Sequence, residues 1–258
     1  MPRHCYVLRV FTRDGAGGNP LGVVTDTLGL DDQKMQRLAA DLGFSETIFL
    51  SWFEGPMPSA RIFTPRTELS FAGHPLVGAA WLLLNLGPLD PGAIECGIGP
   101  VRIRQAGGLT WVDAPSHQPV APGRLRVDPQ IEPLELIEVS MPLPYVLVQL
   151  DSPADVAAAS PESFPADEVY VWAWESEGRS VRARFFARGV GIEEDPATGS
   201  AAVAMAARMR QRGVDQGTLV INQGQETGYP SRIHLVWDSQ RSSIGGTVTR
   251  DEVRFLEI

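Results

Sequence analysis

Two stretches of the chain have the same length and the same bounding glycines: GHPLVGAAWLLLNLG at residues 73–87 and GSAAVAMAARMRQRG at residues 199–213. The first is mostly apolar, which is typical of a helix buried on most sides, and the second is rich in alanine. Each follows a β-rich run and a loop, with Arg61–Phe63 in one half and Arg184–Phe186 in the other. This recurrence at a spacing of 126 residues predicts two similar domains. A chance match between two glycine-bounded helices is the alternative.

The fold predicted from this repeat is α+β, with two pseudo-symmetric domains. Each domain is a curved, mostly antiparallel sheet wrapped around a central helix. The first is predicted at residues 1–115 and the second at 145–258, and the proline-rich segment 116–144 between them is predicted to be a linker. An amphipathic helix is predicted at Asp31–Leu42, where apolar residues recur at helical spacing. The last strand, predicted at Gly246–Val248, could return to the first domain.

The charge and length of the chain limit the classes of partner that we expect. The chain has 258 residues and a net charge of −9. A negative field repels phosphate backbones, so nucleic acid is not an expected partner. The longest apolar run is too short to span a bilayer, and the N-terminus lacks the pattern of a secretory signal. We therefore expect a soluble cytoplasmic protein that does not bind membranes.

Several residue types that hold cofactors or metals are scarce. Lys34 is the sole lysine and lies at a polar helix start, which argues against Schiff-base chemistry and against a phosphate-binding loop. Cys5 and Cys96 form no CxxC pair, and the four histidines have no metal-ligand spacing. The expectation is a protein without a cofactor or a metal.

The chemistry-bearing residues concentrate in two loops, each leading into a central helix. One loop ends at Gly73 and His74, and the other ends at Thr198, Gly199 and Ser200. The N–H groups and the positive dipole end of a helix N-terminus attract a carboxylate or phosphate, and glycine permits close approach to the backbone. Two such ends could face one cleft and hold one anionic ligand. Plain N-capping by Ser200 and Thr198 is the alternative.

Three further polar residues are candidates for the site. A histidine at a positive helix end favours the neutral form, so His74 could be a hydrogen-bond partner or proton carrier rather than a satisfied polar residue. Glu46, which precedes an apolar strand, could be a single acid–base group, although such a residue is more often a solvated loop residue. Asn19 closes a glycine-rich turn that could line the cleft.

Four short motifs in order resemble the PhzF-like isomerase family of phenazine biosynthesis along essentially the whole chain. They are GNPL at residues 18–21, SET at 45–47, FAGHP at 71–75 and EDPATGSA at 194–201. The resemblance implies the diaminopimelate-epimerase fold, with an active site between two domains, and a homodimer. Each motif alone is weak, and their common order makes the resemblance specific.

The resemblance also implies roles for individual residues. Glu46 is the implied acid–base residue, and His74, Asp195 and Ser200 assist proton movement and substrate binding. Ser45, Gly73, Thr198 and Gly199 complete the implied binding set together with Asn19. Related epimerases and racemases carry a cysteine at each helix start, where this chain has Gly73 and Gly199. Tyr229 stands where the family often has an arginine, so the substrate could differ from the phenazine precursor.

The leading function is a cofactor-independent isomerase that moves a proton and a double bond on a small carboxylate-bearing metabolite. Glu46, His74 and Asp195 are its predicted catalytic residues. One alternative is a non-catalytic metabolite-binding or interaction protein on the same fold. Another is a hydrolase with Ser200, His74 and Asp195 as a triad, although Ser200 lacks the strained turn of a nucleophile elbow.

Overall fold

The computed structural model describes residues 3–51, 57–86, 90–115, 121–122, 131–139, 145–164 and 166–256. The chain divides into unit 1, Met1–Asp113 with Gly245–Ile258, and unit 2, Ala114–Ile244. The domain bounds drawn from the sequence remain a prediction.

The strands and helices follow one another in an alternating order. They are β1 (Arg3–Thr12), β2 (Asn19–Thr25), α1 (Asp32–Leu42), β3 (Thr47–Ser51), β4 (Ser59–Phe63), β5 (Glu68–Leu69), α2 (Gly73–Leu86), β6 (Ala93–Cys96), β7 (Gly99–Ala106), β8 (Leu109–Ala114), β9 (Ala121–Pro122), β10 (Glu135–Val139), β11 (Tyr145–Gln149), α3 (Pro153–Ala158), β12 (Glu168–Ser176), β13 (Ser180–Ala187), β14 (Ile192–Asp195), α4 (Gly199–Gln211), β15 (Gly217–Gln223), β16 (Ser231–Trp237) and β17 (Ser242–Leu256).

In unit 1 the strands pair mostly antiparallel, with two parallel steps. β1 pairs antiparallel with β2 on one side and with β17 on the other. β2 and β3 pair parallel across α1, and β4 and β6 pair parallel across α2. Two strands that pair parallel need a crossover connection, and in both of these cases a helix forms it.

The two helices of unit 1 differ in how they are buried. α1 has Asp31 as its N-cap, which accepts from the Lys34 N–H, and ends at Gly43 with φ 71°. Its apolar stripe packs on β3 and β4, as the helical spacing at Asp31–Leu42 predicts. α2 is buried along most of its length, and the sequence prediction of a helix covered on most sides is confirmed.

Unit 2 uses the same kinds of connection. β11 and β12 pair parallel across α3, and β13 and β15 pair parallel across α4. A cluster of buried aliphatic and aromatic side chains, including Phe164 and Phe186, fills the space between α3 and the sheet. α4 is buried along most of its length, in agreement with its alanine content.

The predicted linker contains more structure than its prolines indicate. The strand β10 lies within it and pairs antiparallel with β11, with Ile137 opposite Leu147. Ile137 and Val139 are buried while Glu138 between them is exposed, so the segment has the alternation of a half-buried strand. The prolines at both ends of the segment concealed this short pattern. No described helix is long and apolar enough to cross a membrane.

Candidate active site

The first candidate cluster lies in unit 1, where the turn before β3 meets the start of α2. The turn carries Ser45 and Glu46, and α2 carries His74 as its second residue. The turn is packed against β2, because the ring of Phe44 contacts Gly22. A Cβ on Gly22 would come within 2.9 Å of Phe44 Cδ2, so this close approach requires glycine.

Glu46 and His74 are brought side by side. Glu46 Oε2 lies 3.7 Å from His74 Nε2, and the two side chains are 15% and 4% exposed. This distance is too long for a hydrogen bond. The Glu46 side chain is partly exposed, whereas the two atoms that face each other, Glu46 Oε2 and His74 Nε2, are both buried.

Burial keeps His74 uncharged. Desolvation lowers the pKa of His74 to about 3, although a hydrogen bond to the Pro20 backbone raises it in part. Proline has no N–H, so the Pro20 group is its carbonyl and the imidazole must donate to it. Nε2 has no hydrogen-bond partner among the described residues, which leaves Nδ1 as the donor. The neutral ring therefore presents the lone pair of Nε2 toward Glu46.

Asn19 lies behind the imidazole and is fully buried. Its Nδ2 lies 3.4 Å from His74 Nδ1, and its Oδ1 accepts from Ser45 Oγ at 3.4 Å. The sequence predicted that Asn19 binds substrate. In this structure its side chain accepts from Ser45 and packs against the His74 ring, whose Nδ1 proton is used by the Pro20 carbonyl, and the binding role stays a prediction.

The second cluster lies in unit 2, between β14 and the start of α4. Asp195 is the last residue of β14 and is mostly buried, and Thr198 is the N-cap of α4. Thr198 Oγ1 donates to Asp195 Oδ2 at 2.7 Å. The Thr198 side chain makes no capping hydrogen bond to the helix, which leaves the first N–H groups of α4 without that acceptor.

Gln223, at the end of β15, completes this cluster. Its Nε2 donates to the Asp195 carbonyl at 2.7 Å and to Thr198 Oγ1 at 3.0 Å, and its Oε1 accepts from the Thr198 N–H at 3.3 Å. Sequence reasoning missed Gln223 because its partners lie 25 and 28 residues away. The glycine after it, Gly224, has φ +80° and was the one local signal of an unusual backbone.

Two tyrosines on the sheet also lie near the start of α4. Tyr145 donates to the Ser200 carbonyl at 3.0 Å. Tyr170 is fully buried, and its hydroxyl has no hydrogen-bond partner among the described residues. Burial raises the pKa of both phenols, and for Tyr170 the nearby Tyr145 and Asp195 raise it further. Both hydroxyls therefore stay protonated and can act as donors.

Glu194 of the EDPATGSA motif anchors the loop to the sheet. It makes a bidentate ion pair with Arg184, at 3.0 and 2.7 Å. Arg184 also donates to the Ala157 and Ala159 carbonyls at the end of α3. This pair holds β14 in place and so fixes the position of the neighbouring Asp195.

The helices α2 and α4 both begin with a glycine, and neither cysteine lies at these positions. Gly73 opens α2 and Gly199 opens α4. Cys5 is in β1 and Cys96 in β6, and burial raises the pKa of Cys5 to about 11. Within the described part of the chain, no group of three or more His, Cys, Asp or Glu residues is placed to hold a metal ion.

Comparison with known proteins shows what the chain is similar to. The family model described as "Phenazine biosynthesis-like protein" matches residues 8–250. An uncharacterized isomerase of Mesorhizobium japonicum is 34% identical, over 90% of both chains. The trans-2,3-dihydro-3-hydroxyanthranilate isomerase of Pseudomonas aeruginosa is 33% identical, over 90% of this chain and 89% of that protein. A PhzF-family structure from Bacillus anthracis superimposes with a TM-score of 0.81 over 100% of both chains, at 22% identity.

The chain belongs to the PhzC-PhzF family of phenazine biosynthesis-like proteins. It is an enzyme of the isomerase class, and the resemblance inferred from its four motifs is confirmed.

Proposed function

We propose that this protein is a cofactor-independent isomerase in which Glu46 moves a proton between two carbons of a small carboxylate. The observation that carries the proposal is the pairing of a partly exposed Glu46 with a buried, neutral His74 at 3.7 Å. A carboxylate in such a setting can take a proton from carbon and return it elsewhere.

The reaction would begin with abstraction of a proton from carbon by Glu46. The C–H electron pair shifts an adjacent double bond, and the protonated Glu46 then delivers the proton to the far end of the shifted system. No atom is gained or lost overall, so the step needs no oxidant, reductant or cofactor. His74 stays neutral and offers the Nε2 lone pair to the protonated Glu46.

A carboxylate-bearing substrate is supported by the helix ends. The N-cap residue of α4, Thr198, makes no capping hydrogen bond with its side chain, and the N–H groups and dipole of a helix start favour an anion. Asp195 would then hold or relay a proton on a polar group of the substrate. The P. aeruginosa relative is named for a cyclic dihydro amino acid, trans-2,3-dihydro-3-hydroxyanthranilate, and a compound of that class is the first one to test.

We also propose that the two units are pseudo-symmetric halves of one fold. The proposal is supported by the shared order of their elements, since both contain two strand–helix–strand steps with parallel pairing. The family resemblance further supports a homodimer. Light scattering of the intact protein would then give twice the chain mass.

Proton NMR in D2O tests the proposed activity. Wild-type protein is incubated with trans-2,3-dihydro-3-hydroxyanthranilate, related cyclic amino acids and the carboxamide of each. We expect deuterium to enter a carbon position of a carboxylate compound and none to enter the matched carboxamide. Binding of a carboxylate without exchange would favour the metabolite-binding alternative. Labelling of Ser200 by a serine-reactive phosphonate would instead favour the hydrolase.

A further inference from the structure

Gln223 contacts Asp195 both directly and through Thr198, and its amide orientation is fixed by two backbone groups. The Thr198 N–H can only donate, so the amide atom 3.3 Å from it must be oxygen. The Asp195 carbonyl can only accept, so the amide atom 2.7 Å from it must be nitrogen. The two constraints agree, and the amide cannot be turned over without breaking both bonds.

The fixed amide also sets the direction of the next hydrogen bond. The second N–H of Gln223 points at Thr198 Oγ1 at 3.0 Å, so the hydroxyl oxygen accepts there. The hydroxyl proton is then directed to Asp195 Oδ2, 2.7 Å away. All of these hydrogen bonds are buried, since Gln223 is fully buried while Asp195 and Thr198 are 8% and 6% exposed.

This order of donors has a consequence for Asp195. An oxygen that accepts a hydroxyl proton at 2.7 Å cannot carry a proton on the same line. A proton that Asp195 receives must therefore lie off the line between Oδ2 and Thr198 Oγ1, on another lone pair of the carboxyl group. The donors along the chain also strengthen one another, because each polarises the next in a site from which water is largely excluded.

We infer that Gln223 is a positioning residue for Asp195: acting through the Thr198 hydroxyl and the Asp195 carbonyl, it keeps Oδ2 as the acceptor of the Thr198 hydrogen bond and holds the carboxyl group in one orientation. The inference deepens the proposed function and rests on it for the role of Asp195 in the reaction. The geometry itself can be tested without any substrate.

Neutron diffraction from deuterated crystals of the wild-type protein is the direct test. We expect deuterium on Thr198 Oγ1 that points at Asp195 Oδ2, and two deuterons on Gln223 Nε2. Deuterium on Asp195 Oδ2 that points back at Thr198 would overturn the inference. This result stands whether or not the protein proves to be an isomerase, so it separates the two proposals.

Variants then measure the effect on turnover. Gln223→Glu keeps the size of the side chain but removes both N–H donors. We expect kcat to fall on the order of 100-fold, as for a displaced catalytic group, with KM changed by less than about threefold. Gln105→Glu, the same substitution at an exposed position of unit 1, should keep the wild-type kcat. A Gln223→Glu enzyme with unchanged kcat and a raised KM would overturn the positioning role.

A second pair of variants tests the same inference if Gln223→Glu does not fold. Thr198→Val removes the hydroxyl and keeps the shape of the side chain, and Thr198→Ser restores the hydroxyl. We expect Thr198→Ser to retain most of the kcat that Thr198→Val loses. Equal kcat values in the two variants would contradict transmission through the hydroxyl.

Discussion

The imidazole of His74 stays neutral in the folded protein because it is buried. Its pKa is about 3, against an ordinary value of 6.5 for histidine. Between these two values the unfolded chain binds a proton that the folded protein does not. The free energy of unfolding must therefore fall as the pH is lowered from about 6.5 toward 3, and above about 6.5 this residue adds no pH dependence.

The His74→Gln variant tests this linkage. Replacing His74 should reduce the pH dependence of stability between pH 6.5 and 4.5 by up to about 1.4 kcal/mol for each pH unit. Urea unfolding at several pH values measures it, with His4→Gln on β1 as the matched control. Equal slopes for the wild type and His74→Gln would show that His74 is protonated in the folded protein.

Residue-scale prediction works from residue types that are tied to a local motif. Glu46 and His74 were named from short motifs, and the structure places them together, while their catalytic roles stay a prediction. Gln223 and Tyr170 were missed because their significance comes from contacts with distant parts of the chain. A buried hydrogen-bond network depends on the tertiary fold and leaves no periodic pattern in the sequence.

At the scale of single elements, α2 is held close to the sheet by a glycine. A Cβ on Gly78 would come within 2.3 Å of Leu21 Cδ2 and 3.1 Å of Val10 Cγ2. Both contacted side chains are fully buried in the sheet and have little room to move. Glycine therefore sets the distance between α2 and the strands β1 and β2.

The Gly78→Ala variant should destabilise the protein although alanine favours a helix. Overpacking costs about 1–3 kcal/mol, and alanine gains about 1 kcal/mol in helix propensity over glycine. Because the contacted side chains have little room to move, we expect a cost near the upper end of the overpacking range, which exceeds that gain. Urea unfolding gives the change, and Asn85→Ala at the exposed end of the same helix is the control. A Gly78→Ala protein more stable than the wild type would contradict the close packing of α2.

Elements with local sequence signals were the easiest to predict, and α1 is the clearest case. The apolar periodicity, the N-cap and the terminal glycine of α1 are all local, and they agree with one another. β17 was predicted only at Gly246–Val248, but it runs from Ser242 to Leu256. Its second half is largely polar and exposed, so it has no strong hydrophobic pattern. It forms a strand because β1 pairs with it from Thr247 to Leu256, with two register shifts along the way.

At the scale of the molecule, unit 1 joins the two ends of the chain. β1 and β17 pair from Arg3 with Leu256 to Thr12 with Thr247. An ion pair between Arg9 and Asp251 at 2.9 Å reinforces the contact. The folding of unit 1 therefore depends on the last strand of the chain, which the sequence raised only as a possibility.

The Val248→Pro variant tests this dependence, because Val248 pairs with Val10 inside the sheet. Proline removes a ladder hydrogen bond, and the loss of one bond with its partner left unsatisfied costs about 1–3 kcal/mol. Chemical unfolding followed by circular dichroism measures the loss. Val248→Thr, which keeps a β-branched side chain and its N–H, should stay close to the wild type. A Val248→Pro protein as stable as Val248→Thr would contradict the pairing.

The central claim is that the carboxyl group of Glu46 carries the proton, and a single rate comparison tests it most directly. Deuterium incorporation from D2O is followed by NMR for the wild type, Glu46→Gln and Glu95→Gln, an exposed control in the same unit. The account predicts that Glu46→Gln exchanges about 10²- to 10⁴-fold more slowly, with its fold and ligand binding retained. It predicts a wild-type rate for Glu95→Gln. Exchange by Glu46→Gln at the wild-type rate would contradict the account.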